Sequence, residues 1–312
     1  MIHESDHKII LVKRATRLDS LVARYNTLGQ AKFVVESQRQ DFADYLTEHD
    51  NYYRQLDVAR TQIAAVGRLQ EVDRLFLPNF IFGPQDVVVA LGQDGLVANT
   101  LKYLEGQPLV GVNPDPKRWD GVLLPFQAAD LAKALNEYFS GQRRSRNVTM
   151  AEATLNDGQK LRAVNDLFIG QRTHLSHRYT LEHQGQHEHQ SSSGIIVSTG
   201  LGSTGWFRSL ITGATLIAHR VEGKDAAPRP ARAFPADANY LYYTVREPFP
   251  SRHSQTNLVF GKVTREEPLR LISESPENSV IFSDGIEQDA LTFNSGSEAI
   301  ISLATVRGQL IL

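Results

Sequence analysis

Asp94 stands between two glycines at the end of an apolar run: Asp86-Val87-Val88-Val89-Ala90-Leu91 leads into Gly92-Gln93-Asp94-Gly95. The run reads as a strand buried on both faces, and a helical pattern begins at Leu96. The four residues therefore fall on a strand-to-helix turn. Ligands of open α/β sheets bind at the carboxyl ends of strands. The first turn of a helix offers unpaired N–H groups to phosphate. An aspartate there suits a sugar hydroxyl or a metal better than a phosphate, because its charge repels the anion. The turn points to a site that holds a phosphate and a hydroxyl together, as a kinase needs. A tight turn with Asp94 capping the next helix explains the same residues. This turn is part of neither a Walker lysine loop nor a Gly-x-Gly-x-x-Gly fingerprint.

A second group, Ser198-Thr199-Gly200-Leu201-Gly202-Ser203-Thr204-Gly205-Trp206, also lies between an apolar run and a helical pattern. Its small residues let a ligand approach the backbone, and its hydroxyls are short donors. Trp206 could stack on a flat ring; a flexible turn with a core tryptophan is the alternative. In Asn165-Asp166 an amide sits beside a carboxylate within an apolar stretch. The pair could clamp ribose hydroxyls or an adenine edge, or mark a bulge. Asp284-Gly285 reads as a hairpin turn. Lys13, Arg14 and Arg17 follow the first strand and could face phosphates there, or be solvated charge. His183, His187 and His189, with Glu188 among them, read as an exposed hairpin tip rather than a metal site.

The elements that must position these residues change character midway. Lys8 to Val12 reads as a strand. Thr16 caps a helix to about Leu28, with Asp19 three residues on. Ala31 to Glu36 reads as a second strand. Asp41 to Val66 reads as a helix burying Leu46, Tyr53, Leu56 and Ile63. A helix from Leu96 to Leu104, ended by Gly106, precedes a strand from Pro108 to Val112. Gln127 to Phe139 is a further helix. Beyond about residue 144 the runs are short and extended, with a hairpin signal at Asn156-Asp157-Gly158. Only Thr204 to His219 reads as a helix there. Ala226 to Ala238, rich in Ala and Pro, reads as a surface loop. The expected fold is α/β plus all-β: residues 1–143 as an α/β domain and 144–312 as a mainly β domain, the last residues being open to a return to the first.

At 312 residues the chain can bury one large core or two medium ones. A net charge of −2 argues against a broad nucleic-acid footprint. With no cysteine, disulfides and thiol catalysis are excluded, which fits a reducing cytoplasm. The N-terminus, Met1-Ile2-His3-Glu4-Ser5-Asp6-His7, is polar and acidic, unlike a signal peptide, and no apolar run is long enough to span a membrane.

Taken in order, the motifs resemble the NAD kinase family, most closely its mitochondrial-type branch. Gly92-Gln93-Asp94-Gly95-Leu96 is similar to that family's Gly-Gly-Asp-Gly-Thr turn, and Gly111-Val112-Asn113-Pro114-Asp115-Pro116 to its Gly-Val-Asn loop. Asn165-Asp166 with Phe168-Ile169-Gly170 resembles its Asn-Glu segment, and Ser193-Gly194 through Thr199 to Trp206 its Thr-Gly-Ser-Thr turn. Val245-Arg246-Glu247-Pro248, Ser283-Asp284-Gly285 and Lys13 to Leu18 resemble further segments of the branch. Gln93, Leu96 and Asp166 depart from the family's glycine, threonine and glutamate.

The resemblance implies a Rossmann-like α/β domain followed by a β-sandwich-like domain. It implies transfer of the γ-phosphate of ATP to the 2′-hydroxyl of the adenosine ribose of NAD. Asp94 would bind that hydroxyl as base or orienting group. Gly92, Gln93 and Gly95 would meet the triphosphate, with Mg²⁺ carried on its phosphates. Asn165 and Asp166 would hold the NAD adenosine. Thr199, Gly202, Ser203, Thr204 and Trp206 would line the same cleft between the domains, and Lys13 and Arg14 would contact phosphate. A cytoplasmic homodimer or higher homo-oligomer is implied, with no nucleic-acid or membrane partner. A related sugar, nucleoside or lipid kinase, or a nucleotide-binding protein without catalysis, fits the same motifs, given the residues at 93 and 96.

Overall fold

The structure, a computed structural model, describes residues 7–223 and 233–312. The polar N-terminus up to Asp6 and residues 224–232 of the Ala- and Pro-rich stretch lie outside the described residues. The chain divides into two compact units, Met1–Arg146 with Gln309–Leu312, and Asn147–Gly308. No helix among the described residues is long and apolar enough to cross a membrane.

In the first unit, β1 (Lys8–Lys13) is apolar at its centre, and Ile9 to Val12 are fully buried. Thr16 closes a capping box on α1 (Arg17–Tyr25): the Thr16 N–H donates to Asp19 Oδ2 (2.7 Å) and the Asp19 N–H to the Thr16 hydroxyl (3.2 Å). The helix stops at Asn26, in the left-handed region at φ 66. Thr27 then caps α2 (Leu28–Ser37).

Ala31 to Glu36 is thus helical, and the expected strand is absent there. Its Phe-Val-Val run favours strand, but Ala31 and Val35 fall four residues apart on the buried face while Phe33 is 73% exposed. In α3 (Phe42–Ala64) the stripe Tyr52, Leu56, Ala59 and Ile63 is buried. Leu56 and Ile63 were expected inside. Leu46 is only half-buried, and Tyr53 points out, with Tyr52 in the interior instead.

The next strand, β2 (Arg68–Asp73), buries only Val72 and gives no apolar signal. β3 (Val87–Leu91) is buried at every residue. Helix α4 (Asp94–Leu101) starts two residues earlier than expected and ends before Gly106, which turns into β4 (Pro108–Val112) at φ 101. α5 (Leu131–Phe139), β5 (Ser145–Val148) and the chain's final strand β18 (Gly308–Ile311) complete the unit.

The sheet order is β2-β1-β3-β4-β18-β5, and β2, β1, β3, β4 and β18 run parallel. From β1 the chain goes on to β2 on one side, and from β3 to β4 on the other. The carboxyl ends of β1 and β3 therefore form the sheet's topological switch point. The hydroxyl of fully buried Tyr52 ties those ends together, accepting from the Arg14 N–H (2.9 Å) and donating to Leu91 O (3.4 Å). Tyr52→Phe is expected to cost about 1–2 kcal/mol in urea unfolding; a midpoint equal to that of the parent would show the tie to be idle.

The second unit is a sandwich of two antiparallel sheets. Its strands are β6 (Ala151–Leu155), β7 (Lys160–Ala163), β8 (Asp166–Gln171), β9 (His177–His183), β10 (Gln186–Ser192) and β11 (Ile195–Ser198). After α6 (Trp206–Val221) come β12 (Leu241–Val245), β13 (Phe260–Val263), β14 (Leu269–Ser273), β15 (Ser279–Ser283), β16 (Ile286–Thr292) and β17 (Glu298–Leu303). One sheet runs β10-β9-β14-β17-β6-β7 and the other β13-β12-β11-β8-β15-β16. Leu167, Ile169, Val197 and Ile281 of the second meet Tyr179, Leu181, Leu271 and Ile301 of the first in the core. Alternation along β8 sends Asp166, Phe168 and Gly170 to the opposite face.

His183, His187 and His189 lie on the β9–β10 hairpin, which turns at Gln184-Gly185. His183 is buried, the other two exposed. The described end of the Ala- and Pro-rich stretch is packed rather than a free surface loop: Ala236 is 4% exposed and accepts the Thr149 N–H.

Candidate functional site

The sequence of β3 puts Gly92 at the switch point, where its N–H bonds Val112 O (3.1 Å). A Cβ on Gly92 would lie 2.8 Å from Leu96 Cδ2 and 3.6 Å from Arg14 Cδ, so a side chain there would have to push the Leu96 methyl aside. Leu96, in the place of the resembled threonine, is 3% exposed and belongs to the core. Gln93, not Asp94, is the N-cap of α4, without a side-chain cap bond. Asp94 is the first helical residue. Its Oδ1 accepts the Leu123 N–H at 2.7 Å. Gly95 is exposed with open space beside it.

The loop that restrains Asp94 is built by the Gly111-Val112-Asn113 segment. A Cβ on Gly111 would come within 2.0 Å of Leu123 O, so glycine there lets the loop lie against β4. The buried Asn113 side chain donates to Trp119 O (2.9 Å) and accepts the Asp115 N–H (3.0 Å). The first two motifs thus form one device: the second fixes the loop whose amide orients the acid of the first.

The cations near this end are largely committed. Lys13 pairs with Glu71 (2.9 Å), which Arg60 also holds, keeping the Glu71 carboxyl at about 2. Arg17 pairs with Glu48, and Arg17 and Arg118 share Asp44, which those hydrogen bonds hold well below the usual carboxylate range. Arg14 bonds the buried Glu48 at 3.1 Å and lies over the Tyr52 ring, yet its stem reaches Gly92. Of the two expected phosphate contacts, Arg14 is beside the turn and Lys13 is turned toward β2.

In the second unit the Asn165-Asp166 pair and the Thr199 turn are in direct contact. The Thr199 N–H bonds Asn165 O (2.9 Å), and the Thr199 hydroxyl bonds Val164 O. A Cβ on Gly202 would be 2.2 Å from Asn165 O and 2.7 Å from Asp166 Oδ1. The Ser203 hydroxyl donates to Gly200 O (2.6 Å) and accepts the Phe234 N–H (3.3 Å). Thr199 and Ser203 therefore spend their hydroxyls inside the turn. Thr204 is exposed, and Trp206 lies against Phe168.

Sequence reasoning gave Asp284 a turn and little more. The turn is there, with Asp284 at φ 54 and Gly285 at φ 72. Its carboxylate also accepts the consecutive N–H groups of Val164 (3.0 Å), Asn165 (2.7 Å) and Asp166 (3.2 Å). No local signal announces this bond, which spans over a hundred residues.

Asp166 is 9% exposed and its Oδ1 has no hydrogen-bond partner among the described residues. Burial pushes its carboxyl up to about 7; the Ser198 hydroxyl acts against this and the Asp284 charge adds to it. The folded state thus keeps a proton that the unfolded chain releases near 3.8. Between those values folding takes up a proton, so this group erodes stability as pH rises from about 4 to about 7. Asp166→Asn is expected to melt higher than the parent at pH 8, by more than it does at pH 4. An equal difference at the two pH values in thermal melts would remove Asp166 as the source.

No family model matches the chain. A curated NAD kinase of Chlorobaculum tepidum is 30% identical over 139 residues, 43% of this chain and 46% of that protein. One of Clostridium kluyveri is 27% identical over 128 residues, 39% of this chain and 44% of that protein. The chain spans just under half the length of the curated relatives it matches. Among solved structures, an NAD kinase from Archaeoglobus fulgidus in complex with ATP aligns with a TM-score of 0.55 at 16% identity, over 98% of this chain and 93% of that one. Yeast NADH kinase complexed with NADH aligns with a TM-score of 0.58 at 13% identity, over 99% of this chain and 84% of that one. The fold is that of these kinases, an α/β unit and a β-sandwich. The resemblance to NAD kinases read from the ordered motifs is borne out by these relatives, which do not bear on the mitochondrial-type branch.

Proposed function

We propose that the chain is an NAD kinase, moving the γ-phosphate of ATP to the 2′-hydroxyl of the adenosine ribose of NAD and yielding NADP. The observation that carries this is Asp94: a carboxylate at the sheet's switch point, at the first position of α4, oriented by the Leu123 amide. In the reaction the ribose 2′-oxygen attacks the γ-phosphorus as the bond to the β,γ-bridging oxygen breaks, leaving ADP. Asp94 accepts or orients the hydroxyl proton. Such a transfer needs positioning and charge neutralisation rather than a covalent nucleophile.

The backbone from Gly92 to Gly95 supplies the phosphate-facing turn, and Gln93 sets its first N–H groups. Arg14 is the cation nearest that turn. Lys13 stays in the proposal as the weaker contact. Asn165 and Asp166 hold the adenosine, their backbone fixed by Asp284. Thr199, Gly202 and Ser203 shape that binding edge, and Thr204 presents a hydroxyl there. Mg²⁺ takes oxygen ligands from one or two carboxylates together with substrate phosphates. It would arrive on ATP and neutralise triphosphate charge. A cytoplasmic homodimer belongs to the same reading, and the lack of cysteine suits a reducing compartment.

The test is NADP formation by the purified protein with Mg²⁺, across ATP and polyphosphate as donors and NAD and NADH as acceptors. ATP with NAD is expected to turn over. No phosphorylated dinucleotide from any pairing would end the reading.

A further inference from the structure

The loop after β4 carries charges that the proposed reaction leaves unused, in Asp115-Pro116-Lys117-Arg118. In the first unit this segment faces α3 across an open depression of about 730 Å³. On the helix side stand Asp50, Asn51 and Arg54. None of Lys13, Arg14 and Gly92 to Gly95 lines it. The volume lies in the range of small-molecule sites.

The loop side is braced. Asp115 O accepts the N–H groups of Arg118 and Trp119, both at 3.0 Å, closing a turn around Lys117. The Arg118 guanidinium donates to Asp44 on α3 (3.0 Å) and lies 3.6 Å from the Asp115 carboxylate. Asn51 Nδ2 donates to Pro114 O at 3.4 Å, a second link between helix and loop. Arg118 and Asp115 are thus committed to each other and to Asp44.

Arg54 and Lys117 are not committed in this way. Both are exposed, one on each side of the depression, and neither pairs with a carboxylate among the described residues. At the end of β1 and just beyond it, by contrast, Lys13, Arg14 and Arg17 each have a carboxylate. Asp50 is also outside any ion pair among the described residues, so two uncommitted positive charges meet one negative charge. A cleft with an excess of one sign concentrates ions of the other. Arginine offers a phosphate a fork of donors, and lysine a point charge.

We infer that this depression binds a phosphate-bearing anion between Arg54 and Lys117. The loop that carries Lys117 also carries Leu123, whose N–H holds Asp94 Oδ1. The bound anion ties that loop to α3 and steadies it. Binding does not require the chain to be a kinase.

Trp119, two residues beyond Lys117, is the reporter, and Trp206→Phe makes it the sole tryptophan. Inorganic phosphate, tripolyphosphate and ADP are titrated at constant ionic strength. A saturable change in Trp119 emission is expected with at least one, and which of them responds identifies the source of the phosphoryl group. Arg54→Ala and Lys117→Ala are each expected to weaken that anion about tenfold, the worth of one charged hydrogen bond. Both side chains are exposed, so both variants are expected to melt as the parent does. Lys133→Ala, which removes an exposed charge from α5, is expected to leave the affinity unchanged. Hydrogen exchange across residues 115–124 is expected to slow at saturation. Emission unmoved by all three anions, parental affinity in the Arg54 and Lys117 variants, or an equal loss in Lys133→Ala would overturn the inference. Unaltered exchange at saturation would overturn the steadying of the loop. ADP held at the phosphate-facing turn instead would keep its affinity in both variants and count against the site. None of these readouts uses NADP formation, so the two proposals fail separately.

Discussion

Asp94→Asn is expected to lower kcat/KM for NADP formation by about 10²–10⁴-fold, the span of general acid–base catalysis, while leaving the melting temperature unchanged. The substitution separates two functions of one side chain. The structural function is to accept the Leu123 N–H through Oδ1 at 2.7 Å. An asparagine of the same shape can accept that bond and keep the loop in place. The proposed chemical function is to take or orient a hydroxyl proton, for which the amide has neither the charge nor the basicity. Alanine would be a poorer probe, because it releases the loop as well. A folded Asp94→Asn protein with parental activity would take Asp94 out of the reaction. A protein that instead melts early would show the side chain to be chiefly an anchor for residues 113–126.

Asp284→Ala is expected to have the largest effect on stability, a loss of about 3–6 kcal/mol in urea unfolding. Three consecutive backbone N–H groups lose their acceptor, and an unmet buried donor costs about 1–3 kcal/mol. Alanine also tolerates a φ of 54 less well than aspartate. Relief of the charge beside Asp166 works the other way but does not outweigh three lost bonds. Asp284→Asn keeps an acceptor and tolerates the same backbone, so it should recover most of the loss. Because the bonds end on Asn165 and Asp166, the KM for NAD is expected to rise more than kcat falls. Parental stability in the alanine variant would show that water replaces the carboxylate at no cost.

What the sequence disclosed about the site follows the range of the interactions involved. The strand, turn and helix around Asp94 were legible, because an apolar run, a glycine and a helical period are all local. The hairpin at Asn156-Asp157-Gly158 was legible for the same reason, and β6 and β7 pair across it. The capping box at Thr16 and Asp19 also formed as read. Ala31 to Glu36 misled, because strand propensity in three residues lost to a helical face that only tertiary packing reveals. β2 was silent, since its exposed positions carry no apolar period. The bonds from Asp284 to residues 164–166, and from Asp94 to Leu123, join segments that no window spans. Such bonds turn separate motifs into positioned groups, and they become visible only in three dimensions.

The final strand β18 lies between β4 and β5, inside the sheet that presents Asp94, with Leu310 and Ile311 buried. In the sequence that strand comes after the whole sandwich. The sandwich, Asn147–Gly308, is one uninterrupted stretch and can fold as it emerges. The first unit keeps one edge of β4 unpaired until Leu310 and Ile311 have joined it. The sheet that presents Asp94 thus closes only once a segment beyond the sandwich has joined it, and until then the β4 edge is an open strand edge.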